Sequence, residues 1–360
     1  MIATNAAHTP AVSVVIPTYR RPHMLLRCLE AVTKQDLSAD CYEVLVCDDG
    51  PDPQTRAAVE ALAASQAARG LRIAYVAVTA TQGPAGARNA GWRAASAGII
   101  AFTDDDTIPE INWLSKGLAC ITEGVWAVSG AVEVPFDAPK YSDAPSDYEI
   151  DASGLSRAEF VTANCFVRRS ALATLNGFDE RYTSAWREDS DLQFRILRAG
   201  GCIVRSPHAR VVHPVRPARW GVSIAQQRKS QFDALLYKTH RELYQQRIRT
   251  APPWNYYVIV TSLIVAVIAA LTAALTPKLM LGIAPGVAAN ASLETTMRII
   301  GALALIVWAT LTLRFVQRRL ANTSHSPVHI AEMVWTSMII PCLSVFWRIY
   351  GAVKFKVAFL

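Results

Sequence analysis

The sequence lacks the cysteine patterns of disulfide-rich and zinc-binding proteins. Its seven cysteines are scattered, odd in number and without a CxxC pair. This spacing argues against a structural zinc site or a disulfide framework and is typical of small buried residues in a reducing cytosol. The pattern of a signal peptide is also missing, because residues 1–11 contain neither a basic n-region nor an apolar run. The beginning of the chain is therefore expected to stay in the cytoplasm.

Acidic residues are scarce toward the end of the chain. Residues 251–360 and residues 216–249 each contain eight Lys or Arg and two Asp or Glu, whereas residues 1–215 contain 20 basic and 25 acidic side chains. The net charge of +7 thus comes from the later part. A nucleic-acid-binding protein carries its basic stripe on a folded domain, whereas basic groups beside apolar stretches suit anionic lipid head groups. We therefore expect membrane lipids, and no nucleic acid, among the partners.

Charge is missing altogether from long stretches of residues 251–360, which predicts a membrane region of α-helices. Residues 256–275 carry no charge over 20 positions, enough to cross the hydrocarbon core of a bilayer. A second span is predicted at about residues 298–316, where Arg298 and Arg314 can extend toward the head groups. The overall hydrophobic content of 52% agrees with such a region.

A third apolar segment, at about residues 331–349, contains Pro341 and precedes the basic residues Lys354 and Lys356. If all three segments crossed, this basic tail would face outward. The positive-inside rule therefore favours two spans with a re-entrant or interfacial element over a third span. Residues 216–250, ahead of the first span, are predicted to form a basic amphipathic segment on the membrane surface.

Residues 1–215 have the pattern of an α/β domain. Apolar β-branched runs alternate with stretches of helical spacing, and the predicted strands are residues 12–16, 42–47, 71–78 and 99–103. This alternation predicts a Rossmann-like, mostly parallel sheet with helices on both faces. Ligands bind such sheets at the carboxyl ends of the strands. The polar residues 137–158 fit either a mobile loop over that edge or a plain surface connection.

The cluster Asp104-Asp105-Asp106 follows the fourth predicted strand directly. Three adjacent carboxylates repel one another, so they require a compensating cation. Oxygen ligands suit Mg²⁺ or Mn²⁺, which can bridge to a substrate diphosphate. The alternative is an acidic turn or helix cap, because Asp favours both. The position at a buried strand's carboxyl end favours the functional interpretation.

Three further sites carry polar groups that suit chemistry. Asp48-Asp49-Gly50 ends the second strand, where a carboxylate can accept hydrogen bonds from a base or ribose, or can simply form a turn. Glu188-Asp189 begins a predicted helix; a carboxylate there can deprotonate an acceptor hydroxyl, although helix capping explains the spacing equally well. His213 follows a Val-Val strand and is either structural or a metal ligand beside the carboxylates.

Taken together, these residues resemble the family 2 glycosyltransferases of the GT-A fold, in their membrane-anchored bacterial type. The resemblance covers roughly residues 12–215. It rests on six motifs in the expected order: VSVVIPTYRR, EVLVCDDGPD, GPAGARNAGWRAASAGIIAFTDDD, NCFVRRSAL, NGFDERY and REDSDLQFRILRAG.

The resemblance implies a role for each matching residue. Those expected to bind the nucleotide-sugar are Pro17, Tyr19, Asp48, Asp49, Arg88, Asn89 and Asp104. Those expected to bind the metal are Asp104, Asp106 and His213. Asp189 would be the catalytic base, with Glu188 alongside.

The family also implies a reaction and a location. An inverting displacement, assisted by Mg²⁺ or Mn²⁺, would move a sugar from a nucleotide-sugar, most often UDP-linked, to a lipid-linked or glycan acceptor. This reaction would serve glycolipid or cell-surface polysaccharide assembly at the bacterial cytoplasmic membrane, with the catalytic domain in the cytoplasm. Polymer-making relatives carry a QxxRW motif, but the nearest sequence here is Gln226-Gln227-Arg228-Lys229. Single-sugar transfer is therefore favoured, and the alternatives are a processive synthase and an inactive scaffold.

Overall fold

The structure is a computed structural model that describes residues 9–135, 144–281 and 289–359, without the side chains of residues 276–281 and 289–291. The chain forms two compact units. The first comprises Met1–Asp137 and Asp151–Arg216, and the second comprises Ala138–Ile150 and Pro217–Leu360.

All strands of the described residues lie in the first unit. They are β1 (Val12–Thr18), β2 (Tyr42–Asp48), β3 (Arg72–Ala77), β4 (Ile99–Thr103), β5 (Ile108–Pro109), β6 (Val125–Glu133), β7 (Asn164–Arg168) and β8 (Cys202–Val212). The first seven helices are α1 (Pro22–Val32), α2 (Pro53–Gln66), α3 (Pro84–Ala94), α4 (Trp113–Leu118), α5 (Asp147–Ser153), α6 (Arg169–Thr174) and α7 (Glu188–Arg198). The remaining helices are α8 (Val222–Gln226), α9 (Gln231–Thr239), α10 (Arg241–Arg247), α11 (Trp254–Leu281), α12 (Ala289–Leu320) and α13 (Pro327–Lys354).

The eight strands form one mixed sheet in the order β3-β2-β1-β4-β7-β6-β8-β5. The half predicted from the sequence, β3-β2-β1-β4, is parallel throughout. Beyond it, β7 runs antiparallel to both β4 and β6, while β6 and β8 are parallel. The predicted α/β class with an open sheet is thereby confirmed, with the refinement that its second half is mixed.

Helices cover both faces of the sheet. Successive side chains of β1 point to opposite faces, and both sets are buried. Val14 belongs to a buried core that includes residues of α1, α2 and α4. Val15 belongs to a second core that includes residues of α3, α6 and α7. This two-sided burial explains why the central strands are continuous β-branched runs rather than alternating ones.

The stretch predicted as a loop, residues 137–158, lies partly outside the described residues. Its described part contains the short helix α5, so it is not without regular structure there. The acidic first turn of this helix, with Asp147 and Glu149, suits the positive end of the helix dipole.

Among its described residues, the second unit contains three helices long and apolar enough to cross a membrane, by length and composition: Trp254–Leu275, Ser292–Leu320 and Pro327–Lys354. The first two pack closely as a hairpin; a Cβ added at Gly301 would lie 3.4 Å from the Cβ of Ala269. α13 is one unbroken helix through Pro341. Residues 216–250 contain the helices α8, α9 and α10, and a 3-10 turn at Gln227–Ser230 joins α8 to α9.

Candidate active site

The carboxyl ends of three neighbouring parallel strands form the floor of the candidate site. β1 ends at Thr18, whose register partner on β2 is Asp48, and Asp104 follows the last residue of β4. The sequence places acidic residues at two of these ends, and the sheet order brings them to one edge. This edge is where open α/β sheets bind ligands.

A turn between β4 and β5 brings the acidic cluster to a histidine from far along the chain. β5 pairs antiparallel with the end of β8, with Ile108 opposite Val212. The next residue, His213, is held by its backbone N–H, which donates to the carbonyl oxygen of Glu133 at 2.7 Å. Its Nε2 lies 3.5 Å from Oδ1 of Asp106.

Asp104, Asp106 and His213 form a group that fits a divalent cation. One ligand atom from each of the three lies within 4.8 Å of the others. The buried Oδ1 of Asp106 has no hydrogen-bond partner among the described residues, so it is left with an uncompensated acceptor. Two carboxylates and one imidazole suit Mg²⁺ or Mn²⁺, and the donor set does not select between them.

The middle aspartate of the cluster faces elsewhere. Asp105 accepts a hydrogen bond from the Thr18 hydroxyl at 2.8 Å and lies 3.4 Å from Nη1 of Arg21. Burial raises the pKa of its carboxyl to about 6, against the opposing effect of Thr18 and Arg21. Asp105 thus ties the acidic turn to the end of β1.

Arg88, on α3, joins the two acidic parts of the site. Its Nη2 donates to Oδ1 of Asp104 at 2.8 Å, and its Nη1 donates to Oε1 of Glu188 at 3.0 Å. The side chain is only 3% exposed. Burial alone would lower the pKa of Arg88, but the charges of Asp104 and Glu188 raise it overall. The guanidinium therefore remains charged and fixes the distance between the acidic turn and the start of α7.

Glu188 and Asp189 begin α7, and their side chains have different surroundings. Glu188 is buried, with one carboxylate oxygen on Arg88 and the other without a hydrogen-bond partner among the described residues. Asp189 is partly exposed and accepts a hydrogen bond from the Ser190 N–H at 2.6 Å. Burial raises the pKa of both carboxyls, and the charge of Asp189 raises that of Glu188 further. Asp189 is the more accessible of the two.

The predicted base pocket lies across the ends of β1 and β2. Pro17 pairs in register with Cys47, and Tyr19 is 47% exposed, with its ring against Gly50. A Cβ on Gly50 would come within 2.5 Å of that ring, so a side chain at this position would displace the ring. Tyr19 thus presents an aromatic surface at this edge.

The two aspartates that end β2 differ in their surroundings. Asp48 is fully buried and accepts from the N–H groups of Gly50 and Asp52 and from the Tyr75 hydroxyl, so it shapes the turn rather than facing a ligand. Asp49 is partly exposed and accepts from the Gly83 N–H through both oxygens, at 2.7 and 2.8 Å. Burial raises the pKa of Asp49.

The amide of Asn89 is fully hydrogen-bonded within the protein. Its Nδ2 donates to the carbonyl oxygen of Phe178 and to Glu180, and its Oδ1 accepts from the Phe178 N–H and from Trp92 Nε1. These four hydrogen bonds use the full capacity of the amide. Asn89 therefore holds the turn around Gly177, and its part in positioning the nucleotide stays a prediction.

The sequence prediction missed Arg216. Its Nε lies 2.5 Å from Oδ2 of Asp106, so an arginine contacts a carboxylate of the candidate metal group. The only sequence signal was its position three residues after His213, within a run that was interpreted as basic and membrane-facing. Just before α7, the Arg187 guanidinium lies 4.6 Å from the ring centroid of the half-exposed Trp186. This cation-π contact was not predicted from the sequence.

Comparison with known proteins identifies the class. Residues 13–175 match the family described as Glycosyl transferase family 2. Glycosyltransferase AglE of Haloferax volcanii is 32% identical over 218 residues, which are 58% of this chain and 68% of AglE. Succinoglycan biosynthesis protein ExoM of Rhizobium meliloti is 30% identical over 256 residues, which are 68% of this chain and 79% of ExoM.

Two further similarities concern the acceptor and the fold. The UDP-Glc:alpha-D-GlcNAc-diphosphoundecaprenol beta-1,3-glucosyltransferase WfgD of Escherichia coli is 34% identical over 107 residues, 30% of this chain and 38% of WfgD. The structure of mannosyltransferase PcManGT from Pyrobaculum calidifontis, in complex with GDP-Man and Mn²⁺, matches with a TM-score of 0.52 and 20% identity over 97% of this chain and 88% of that one. The latter similarity shows the shared fold.

The fold is that of the GT-A class, and the family match and the named relatives identify the chain as a glycosyltransferase. The chain belongs to glycosyl transferase family 2, as its family match and its similarity to AglE and ExoM show. Both the family and the enzyme class expected from the sequence are thereby confirmed. Some relatives, such as WfgD, are named for lipid-linked acceptors.

Proposed function

We propose that this protein is an inverting, metal-dependent glycosyltransferase that moves one sugar from a nucleotide-sugar to a membrane-associated acceptor. The observation that carries the proposal is the convergence of Asp104, Asp106 and His213 on one point, joined through Arg88 to the carboxylates that begin α7. Donor binding and proton removal are thereby assigned to adjacent groups at the same edge of the sheet, where the parallel strands end.

The metal group is proposed to hold the donor. Asp104, Asp106 and His213 would bind Mg²⁺ or Mn²⁺, which supplies charge stabilisation for the departing nucleoside diphosphate. Asp49 and the exposed ring of Tyr19 lie on the β1–β2 side of the edge, where the base and ribose would bind. Arg88 keeps Asp104 oriented rather than contacting the donor itself, because its side chain is only 3% exposed.

Asp189 is proposed as the base that removes the acceptor's proton. It is more exposed than Glu188, and its raised pKa makes it a better proton acceptor than an ordinary aspartate. Glu188 acts as a positioning residue through Arg88. A direct displacement at the anomeric carbon then forms the new glycosidic bond on the face opposite the departing diphosphate, which inverts the configuration.

The donor is proposed to be a UDP-sugar, because the family uses UDP-sugars most often. The mannosyltransferase of matching fold was solved with GDP-Man, so GDP-sugars belong in the same assay. The acceptor is proposed to be a lipid-linked glycan in glycolipid or cell-surface polysaccharide assembly. The names of WfgD and ExoM and the three candidate membrane helices support this class of acceptor. The corresponding location is the bacterial cytoplasmic membrane, with the catalytic domain in the cytoplasm.

Transfer of a single sugar is proposed over processive synthesis because the chain lacks the QxxRW motif. Product length on a defined acceptor tests this point. One added sugar is the expected product, whereas a ladder of products would identify a processive synthase.

The variant Asp189→Asn tests the proposed base. It should retain metal-dependent donor binding but lose about 10²–10⁴-fold in transfer rate, because only the proton acceptor is removed. Donor binding is measured by calorimetry and transfer by release of nucleoside diphosphate in the presence of acceptor. Turnover close to that of the wild type would remove Asp189 from the mechanism.

A further inference from the structure

The last long helix, α13, has two faces of opposite character. Its buried positions follow one another at helical spacing and include the polar residues Thr336, Ser337, Ser344 and Arg348. The opposite side exposes large apolar residues, at Val328, Trp335, Phe346, Tyr350 and Val353. A helix with one packed polar face and one exposed apolar face is suited to the surface of a bilayer.

The polar face packs along the charged segment that precedes α11. Near the start of α13, Glu332 accepts a hydrogen bond from the Gly221 N–H at 2.6 Å. Farther along, Arg348 lies 3.6 Å from Asp233. At the far end, the Lys238 ammonium donates to the carbonyl oxygen of Phe355 at 2.8 Å. The contact therefore extends over nearly the whole helix.

This length of contact is incompatible with a membrane crossing. Residues 332–355 of a helix extend about 35 Å, which exceeds the roughly 30 Å of a hydrocarbon core. The middle of the segment packed along them carries Arg228 and Lys229. If α13 crossed, these charges would have to lie within the hydrocarbon, at a cost of several kcal/mol.

Both halves of α13 also meet the same end of the α11–α12 hairpin. Arg319, near the end of α12, donates to the hydroxyls of Thr336 and Ser337 at 2.6 and 3.0 Å. At the other end, a cavity of about 600 Å³ is lined by residues 249–252, just before α11, together with Arg348 and Phe359. A crossing helix would instead have its ends at opposite ends of the hairpin.

We propose that α13 lies in the plane of the membrane, with its apolar face in the head-group region of the leaflet at which α11 begins and α12 ends. The membrane region then has two crossings. The inference rests on the proposed membrane location of this glycosyltransferase. Basic residues at the end of the helix, Lys354 and Lys356, then lie beside anionic head groups on the same side as residues 1–250.

The first test uses the wild-type chain with an epitope tag after Leu360, in sealed membrane vesicles of one orientation. Protease added outside should digest the tag and the catalytic domain together, or leave both intact in the opposite orientation. Digestion of only one of them would place the two on opposite sides and overturn the proposal. Transfer activity is assayed separately after permeabilisation, so failure of the proposed function is distinguished from failure of this topology.

The second test measures depth in vesicles of phosphatidylethanolamine and phosphatidylglycerol containing lipids brominated near the head group. Trp335 is 51% exposed on the apolar face, whereas Trp347 is partly buried, with its ring centroid 5.8 Å from the Arg228 guanidinium, and serves as the comparison. Trp335→Phe should reduce head-group quenching by up to the share of one tryptophan in nine, and by more than Trp347→Phe does. Equal effects of the two variants, or stronger quenching by lipids brominated deep in the acyl chain, would contradict an in-plane helix.

Discussion

At the scale of single residues, charge compensation governs the candidate site. Asp104 is paired with Arg88, Asp105 with Arg21 and Asp106 with Arg216. Each member of the acidic cluster thus has its own arginine, and only Asp106 retains a buried oxygen without a hydrogen-bond partner among the described residues. Asp106 therefore keeps one buried acceptor oxygen available for a cation.

Arg216 competes with a cation for Asp106, so its removal should strengthen metal binding. Arg216→Gln is expected to tighten Mn²⁺ binding to the donor-free protein by about two- to fivefold, which corresponds to the ~0.5–1 kcal/mol of a partly exposed ion pair. Calorimetric titration with Mn²⁺ measures this change. Arg219→Gln, an exposed arginine three residues later, is the matched control and should leave the affinity unchanged. Weaker binding by Arg216→Gln would show that Arg216 supports the metal site instead.

The raised pKa values at the start of α7 predict an acid-sensitive rate. A base is active only when deprotonated, and burial raises the pKa of Asp189 above its ordinary value of about 4. The turnover number should therefore decrease with falling pH at values higher than an ordinary aspartate would require. The measurement is kcat against pH at saturating donor and Mn²⁺, with donor affinity determined at each pH. A rate that stays constant down to about pH 4 would contradict this assignment.

The sequence was a better guide to which residues lie at the candidate site than to what each of them contacts there. The carboxylates at strand ends and His213 follow from motifs in the sequence, and the structure brings Asp104, Asp106 and His213 together. Asn89 also belongs to a motif, yet its amide is used entirely by the turn around Gly177, and no local pattern reveals that. Arg216 contacts a residue 110 positions away, so its role depends on the pairing of β5 with β8.

At the scale of elements, the parallel half of the sheet could be predicted from the sequence. Its strands are short apolar runs, and the helices between them have apolar residues at helical spacing. The other half was not, because β7 pairs antiparallel and β5 has only two residues. Polar positions such as the buried Asn164, which accepts from Trp113 Nε1, also interrupt the apolar pattern there. The strand order in this half depends on pairing between residues far apart in the sequence, which no local pattern predicts.

Close packing of α3 on the sheet gives a stability prediction. A Cβ on Gly91 would collide with Val15 and Cys47 on β1 and β2. Gly91→Ala should therefore cost about 1–3 kcal/mol through overpacking, which lowers Tm by about 2–4 °C per kcal/mol in a unit of this size. Gly98→Ala is the matched control, since an added Cβ there meets nothing within 4 Å. Scanning fluorimetry of the two purified variants should separate them, and equal Tm values would argue against this packing.

At the scale of the whole molecule, the chain combines a catalytic unit of net negative charge with a basic, apolar carboxy-terminal part. Residues 1–215 have five more acidic than basic side chains, while residues 251–360 have six more basic than acidic ones. This division suits a proposed enzyme that holds a cation in one unit and binds anionic lipids with the other. Composition alone predicted it, because the sign of the net charge changes near residue 216 and the long uncharged stretches begin at residue 256.

The central claim is that the Asp-Asp-His group supports metal-dependent use of a nucleotide-sugar. The most direct measurement is release of nucleoside diphosphate by the purified full chain from a panel of UDP-, GDP- and dTDP-sugars, with Mn²⁺ or with EDTA. We predict release from at least one donor that requires the cation and is lost in Asp106→Ala together with metal-dependent donor binding. Release that persists in EDTA, or unchanged donor affinity in Asp106→Ala, would contradict the account.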